Sequence, residues 1–261
     1  MGDRDLLVFL NRIAASTSID EAWELATGYF GKLGFKRANY GYTRFRHLKT
    51  IGDPDDALFL TTCDADFVRR YFQGGFFART PIFRWCERNS GSCTWTWVKE
   101  AFEKGQLAPE EMEAVKQNAM TGVTAGMSIS FPDASSRSKG ALGLIADPGI
   151  SQAEVDAIYA EKRDEIMVVA NMMHLAIVHL PQLSRRRALS PRQRESLEWV
   201  ADGKTTQDVA LLMGVSAAMV EKHLRLAREA LAVETTAQAV AKGALLNMIF
   251  QRQIEVAQAA R

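Results

Sequence analysis

The sequence predicts an α+β protein in two parts, in which an antiparallel sheet with helices on its faces precedes a small all-α module. Over the first 180 residues, strand-like segments are interspersed with amphipathic helical ones. Beyond them, polar caps and glycines separate helical segments only. The 261-residue chain is 47% apolar, which is enough for a larger and a smaller core.

Five strands are predicted in the first part. Residues 37–45 alternate with the aromatic side chains Tyr40, Tyr42 and Phe45, as a half-buried strand does. The other strands are predicted at residues 57–62, 93–98, 126–131 and 141–146. Because helices precede, separate and follow these segments, we expect a central antiparallel sheet covered by helices.

The helices of the first part are predicted from apolar residues spaced three and four apart. Before the second helix, Ser18 and Glu21 form the pattern of a capping box. The predicted helices cover residues 6–14, 20–33, 64–72, 109–120 and 152–180. Pro181 ends the last one, and the arginines that follow resist packing into a core. We therefore predict a domain of residues 1–180, a linker of residues 181–188 and a second domain of residues 189–261.

Caps and glycines divide the last quarter of the chain into four helices. Ser190, Thr205 and Ser216 are suited to begin three of them. Gly203 is suited to the left-handed conformation in which a helix ends, and Gly214 lies in the tight turn before the next helix. A capped helix, a glycine-containing turn and a second helix in this order predict a helix-turn-helix.

The third of these helices has a basic face. Its apolar residues Val220, Leu224, Ala227 and Leu231 are spaced for a buried stripe, and the cations lie away from it or beside it. The candidate contacts to double-stranded DNA are Lys204, Thr205, Ser216, Lys222, His223, Arg225 and Arg228. Residues 184–261 carry 12 Lys and Arg against 8 Asp and Glu, a net charge of +4 that favours a nucleic-acid partner. An ordinary solvated surface is the alternative for each of these residues.

The sequence gives no support for an enzyme, a metal-binding protein or a membrane protein. The cysteines Cys63, Cys86 and Cys93 have no metal-ligand spacing, and the four histidines form no nucleophile–base pattern. The longest apolar run, residues 167–180, is too short to cross a bilayer, and the N-terminus has no apolar core of a signal peptide. We expect a cytoplasmic protein that is not an enzyme and holds no cofactor.

The last quarter of the chain resembles the LuxR-type DNA-binding domain. The resemblance is carried by Leu-Ser-Pro-Arg at 189–192, Gly203-Lys204-Thr205, Val209-Ala210, Met213-Gly214-Val215-Ser216, His223-Leu224 and residues 237–242. It implies that the first domain is an acyl-homoserine-lactone-binding α-β-α sandwich. It also implies a quorum-sensing transcription factor that dimerises, binds an inverted-repeat promoter site and contacts RNA polymerase.

The resemblance also implies the position of a ligand pocket. Tyr71, Pro81, Trp97 and Gly126 keep the family's residues, and Trp97 is expected to wall the lactone ring. The candidate ligand-binding residues are Cys63, Phe67, Tyr71, Thr80, Trp95, Trp97, Gly126 and Met127. Trp95 and Met127 are included because they offer aromatic and polarizable surface.

Three pocket positions depart from the family. Cys63 replaces a Tyr, Phe67 replaces a Trp whose indole N–H binds the ligand, and Thr80 replaces an Asp that accepts the ligand amide. Losing two anchors in a buried site is expected to weaken binding of an ordinary acyl-homoserine lactone by about 100-fold or more. Either the pocket holds a more apolar or aromatic ligand, or its side chains fill it and no ligand is needed.

The DNA-binding module departs from the family as well. Gln193 replaces a Glu, Met219 a Thr and Ala230 a Lys. Fewer phosphate contacts predict weaker DNA binding with a shallower salt dependence. An alternative function follows, in which the protein forms heterodimers with a related regulator and modulates it.

Overall fold

Residues 3–47, 51–132, 135–181 and 188–250 are described by the computed structural model. The chain divides into two units, Met1–Val178 and His179–Arg261, and each has its own set of contacts. Six residues of the expected linker, 182–187, lie outside the described ranges.

An antiparallel sheet forms the centre of the first unit. Its strands are β1 (Arg37–Thr43), β2 (Leu58–Thr61), β3 (Gly91–Thr94), β4 (Gly126–Ser130) and β5 (Lys139–Ile145). The order across the sheet is β2-β1-β5-β4-β3, with every neighbouring pair antiparallel. The α+β fold predicted from the sequence, with its sheet of five strands, is confirmed.

The helices of the first unit largely follow the predicted segments. They are α1 (Asp3–Ala14), α2 (Ile19–Lys32), α3 (Ala65–Val68), α4 (Pro81–Arg88), α5 (Thr96–Glu103), α6 (Pro109–Met120) and α7 (Gln152–His179). A π-helical stretch, Arg69–Gln73, continues α3, and short 3-10 turns cover Pro54–Asp56 and Phe76–Arg79. Helices α4 and α5 were not predicted from the sequence. The predicted strand 93–98 was wrong beyond Thr94, because the backbone turns at Trp95 and α5 begins at Thr96.

The main core lies between one face of the sheet and helices α1, α2 and α7. Ile13, Phe30 and Met173 from these helices are fully buried there. They meet the sheet residues Met127 and Leu142, which are also fully buried. Burial of so much apolar surface fixes the three helices on this face of the sheet and leaves its other face for α3–α6.

A half-buried histidine packs against this core. The His174 ring of α7 stacks on Phe131 with centroids 4.0 Å apart, and its Nδ1 lies 2.8 Å from the Tyr40 hydroxyl. Burial, with a smaller contribution from the charge of Arg44, lowers the pKa of His174 to about 4. His174 is therefore neutral at physiological pH and acts as a packing residue.

The second unit is helical, as predicted. It contains α8 (Pro191–Ala201), α9 (Thr206–Met213), α10 (Ala217–Leu231) and α11 (Thr236–Leu245). The side chains of Ser190, Thr205, Ser216 and Thr235 accept the capping hydrogen bonds. The turn between α9 and α10 depends on Gly214, whose φ of 65° lies in the left-handed region. Among the described residues, no helix is long and apolar enough to cross a membrane.

Candidate ligand cavity and DNA-facing helix

A cavity of about 370 Å³ lies in the first unit, between the sheet and the segments from α3 to α6. The sheet contributes Asn39, Gly41, Phe59, Ser128, Ala141 and Gly143 to its wall. The opposite side contributes Phe67, Tyr71, Phe72, Phe77, Thr80, Trp95, Phe102 and Asn118. The volume is within the range of small-molecule sites, and most of the wall is aromatic or aliphatic.

Three of the candidate ligand-binding residues, Phe67, Tyr71 and Thr80, lie on the cavity wall. The rings of Phe67 and Tyr71 stack with centroids 4.7 Å apart. Phe67 has no hydrogen-bond donor to offer a ligand. Burial raises the pKa of Tyr71 to about 12, so the phenol stays protonated and can donate a hydrogen bond.

The Thr80 hydroxyl forms hydrogen bonds mainly with backbone groups of nearby residues. Its side chain is buried, its hydroxyl donates to the Phe77 carbonyl at 2.8 Å, and it accepts the Phe83 N–H at 3.2 Å. The second of these bonds caps α4. The Tyr71 hydroxyl is also within reach of Thr80. The Thr80 hydroxyl therefore has no proton left to donate to a ligand. Only one of its lone pairs remains to accept a hydrogen bond from a ligand.

Trp95, rather than Trp97, lies on the cavity wall. The Trp95 indole N–H donates to the Ser128 hydroxyl at 2.9 Å, which fixes the ring against the sheet. Trp97 is not among the described residues that line the cavity. Its indole lies beside the Cys93 thiol. Because the chain turns at Trp95 and places Trp97 on α5, Trp95 is the indole that lies on the described cavity wall.

Gly126 acts on the cavity indirectly. A Cβ at this position would lie 2.8 Å from a Trp95 ring carbon and would clash with the Leu144 carbonyl. Such distances are far below an ordinary van der Waals contact. Gly126 is not itself among the described lining residues, but the absence of its side chain leaves room for Trp95.

Two further candidates, Met127 and Cys63, lie away from the described cavity wall. Met127 is fully buried in the main core, because successive side chains of a strand point to opposite faces and Ser128 takes the cavity face. Cys63 follows β2 and is half-buried, with its backbone N–H bound to the Thr61 hydroxyl. Burial raises the pKa of Cys63, which disfavours a reactive thiolate.

Ser128 and Asn118 line the cavity and were missed by the sequence analysis. Ser128 could have been predicted from the alternation of β4. Its neighbour Met127 is apolar, so Ser128 points to the opposite face of the sheet. Asn118 had no such signal, because a polar residue near the end of a polar helix is usually solvated.

Lys222 and Arg225 are exposed on α10. Lys222 makes no ion pair with any residue in the described ranges. Arg225 pairs with Glu229 on the same helix, where both side chains are more than half exposed, so this pair is weak. Their positions leave both cations accessible to a nucleic acid.

The remaining DNA-contact candidates divide into exposed and engaged residues. Lys204, Thr205 and Ser216 are exposed, and the last two cap α9 and α10. His223 is half-buried. Arg228 donates to the Thr236 hydroxyl at 2.8 Å, which ties α10 to α11. One of the five guanidinium donors of Arg228 is therefore engaged within the domain.

The three departures in the DNA-binding module have different consequences. Gln193 completes a capping box, accepting the Ser190 N–H at 2.8 Å, so it takes the structural role of a Glu. Met219 is partly exposed near the start of α10, and Ala230 is half-buried near its end. Met219 and Ala230 thus remove possible phosphate contacts, whereas Gln193 leaves the fold intact.

Comparison with known families supports both units. The model of the "Autoinducer binding domain" matches residues 18–177, and that of "Sigma-70, region 4" matches residues 187–231. The chain is 23% identical over 250 residues to the transcriptional activator protein AhyR of Aeromonas hydrophila, covering 93% of this chain and 91% of AhyR.

Solved structures share the fold. A crystal structure of Escherichia coli SdiA has a TM-score of 0.56 at 17% identity and covers 95% of this chain and 99% of its own. The N-acylhomoserine-lactone-dependent LuxR-family factor CepR2 of Burkholderia cenocepacia has a TM-score of 0.50 at 16% identity, covering 66% of this chain and 93% of its own.

Proposed function

Since the chain belongs to the autoinducer-binding family of LuxR-type transcriptional regulators, we propose that a small uncharged molecule binds in its first unit and controls DNA binding by the second. The family consists of regulators and not of enzymes. The protein acts as a dimer in the cytoplasm, on an inverted-repeat promoter site, where it contacts RNA polymerase.

The cavity carries the proposal for the ligand. A wall of aromatic side chains favours an apolar or aromatic molecule, because burying such surface is worth about 25 cal/mol per Å². Thr80 offers a neutral acceptor where the family pattern has a carboxylate, and Phe67 offers no donor. We therefore expect the ligand to differ from an ordinary acyl-homoserine lactone.

We assign the cavity residues distinct roles. Trp95 takes the ring-walling role first expected of Trp97, with Gly126 making space for it. Tyr71 donates a hydrogen bond, and Phe67 provides a flat apolar surface.

The proposal for DNA binding rests on the exposed basic face of α10. Lys222 and Arg225 reach phosphates or base edges, and the exposed helix starts at Thr205 and Ser216 place backbone N–H groups toward phosphates. The loss of cationic or polar contacts at Met219 and Ala230 predicts a salt slope shallower than that of a protein with many phosphate contacts.

Thermal unfolding with two ligand classes tests the ligand proposal. We expect an apolar aromatic compound at 100 times its dissociation constant to stabilise the protein by about 2.7 kcal/mol. An equal effect of N-octanoyl-homoserine lactone at the same concentration would contradict the expected ligand class. Stabilisation by neither would favour a ligand-independent protein.

A gel-shift experiment with the purified protein and its own upstream DNA separates the regulator from the heterodimerising modulator. Specific binding by the protein alone supports the regulator. Failure to bind, together with loss of DNA binding by a related regulator when the two are mixed, would support the modulator.

A further inference from the structure

Asn118 has a buried side-chain acceptor that no residue in the described ranges satisfies. The residue lies on α6 and lines the cavity. Its side-chain Oδ1 is buried and accepts no hydrogen bond from any described residue. A buried polar atom without a partner is costly to folding and therefore calls for an explanation.

Other amide groups on the same wall are paired within the protein. The Asn39 Oδ1 accepts the Thr61 hydroxyl at 2.6 Å. The Gln152 carboxamide accepts the N–H of Gly126 at 3.0 Å and donates to its carbonyl at 3.2 Å. Asn118 thus differs from the other lining amides in having an acceptor left for a ligand.

The surroundings of Asn118 make such an acceptor selective. The neighbouring lining residues from α5, α6 and the turn after it are mostly aliphatic or aromatic: Val98, Phe102, Val115, Ala119 and Val123. In this setting a hydrogen bond is electrostatically stronger than in water. The Asn118 carbonyl accepts the N–H groups of Thr121 and Val123 at 3.0 and 2.9 Å, so the backbone carrying the side chain is held in place.

We propose that Asn118 anchors the polar group of the ligand, with its Oδ1 accepting a hydrogen bond from a neutral O–H or N–H on an otherwise apolar molecule. The inference rests on the proposed function, because the ligand must occupy this cavity. A neutral amide oxygen accepts such a donor without requiring a charged ligand. The anchor thereby lies on α6 and does not depend on Thr80, whose hydroxyl is already engaged with backbone groups.

A pair of probes, in which a methyl group blocks the hydroxyl donor of the second, tests this assignment. We would measure the affinity of 6-phenylhexan-1-ol and its methyl ether for the whole protein by calorimetry. The wild type should bind the alcohol about fivefold more tightly, which corresponds to one neutral hydrogen bond of about 1 kcal/mol. Asn118→Leu should bind both probes with the affinity of the ether.

Thermal unfolding without ligand distinguishes an anchor from a structural residue. Replacing an unpaired buried acceptor with an apolar group of similar size should leave the Tm of Asn118→Leu unchanged or raise it. The matched control is Gln117→Leu, because the Gln117 side chain bonds Glu113 on the same helix and is not among the described lining residues. This control should keep the fivefold discrimination.

Four results would overturn the inference. Equal binding of both probes by the wild type, or discrimination retained in Asn118→Leu, would leave the cavity as a ligand site with another anchor. A clearly lower Tm for the ligand-free Asn118→Leu would assign the residue to folding. If neither probe bound the wild type, the ligand-binding role of the cavity would fail together with the anchor.

Discussion

Replacing Thr80 with Asp should give the protein affinity for ordinary acyl-homoserine lactones. Thr80 begins α4 and accepts the Phe83 N–H, a role that an Asp side chain performs equally well. A carboxylate has a second oxygen, which would face the cavity beside Tyr71. That oxygen is positioned to accept an N–H from a ligand amide.

The gain can be set against its cost. A charge-assisted hydrogen bond contributes about 1.5–3 kcal/mol, which corresponds to about 10- to 150-fold in affinity. The carboxylate cannot donate to the Phe77 carbonyl, as the Thr80 hydroxyl does, so one bond of about 1 kcal/mol is lost. Because that bond is missing with and without ligand, its loss lowers the Tm by about 2–4 °C and leaves most of the affinity gain. Desolvation of the carboxylate at this buried position lowers the Tm further.

Calorimetric titration with N-octanoyl-homoserine lactone measures the effect directly. We expect Thr80→Asp to lower the dissociation constant by at least tenfold relative to the wild type. Thr80→Asn is the matched control, because it caps the helix and accepts a hydrogen bond without a charge. Equal affinities for the Asp and Asn variants would refute the argument that a missing carboxylate limits lactone binding.

Three further predictions concern the sheet, the main core and the DNA-binding module. In Gly126→Ala the new Cβ should push against Trp95, which should lower the unfolding free energy in urea by about 1–3 kcal/mol and change the tryptophan fluorescence. Gly143→Ala is the control and should change neither quantity, because a Cβ there meets only one atom, at 3.9 Å. The unfolding free energy should fall by up to about 3 kcal/mol as the pH drops from about 6.5 to 4, because the unfolded state protonates His174 first; a pH profile unchanged in His174→Phe would contradict this. Arg228→Ala should lower the Tm, because the bond to α11 is lost, and should leave the salt slope of DNA binding unchanged. A slope reduced in magnitude by about 1 would instead indicate that Arg228 contacts a phosphate.

The sequence was sufficient for features that depend on local patterns. The caps at Ser190, Thr205 and Ser216 predicted three helix starts that the structure contains. Residues 109–120 were predicted as the helix that is observed, since Pro109 is favoured at a first helical position. Turn glycines such as Gly214 act within a few residues of chain, so their effect can be read locally.

Features that depend on tertiary contacts were harder to predict. Trp95 and Trp97 both fit an alternating strand, and the turn at Trp95 decides which one meets the cavity. Helix α4 begins at Thr80-Pro81, but its short amphipathic pattern was not distinctive in sequence. Asn118 has a buried acceptor only because α6 packs beside the cavity, and no local pattern encodes that neighbourhood.

The accessibility of the basic face of α10 to DNA is the central claim, and salt-dependent DNA binding tests it most directly. Fluorescence anisotropy with duplex DNA from an inverted-repeat site would be measured over a range of salt concentrations for the wild type and for Lys222→Ala/Arg225→Ala. If both cations contact phosphates, the double variant should bind more weakly, with a slope smaller in magnitude by about 2. Unchanged affinity and slope in a folded double variant would contradict the account.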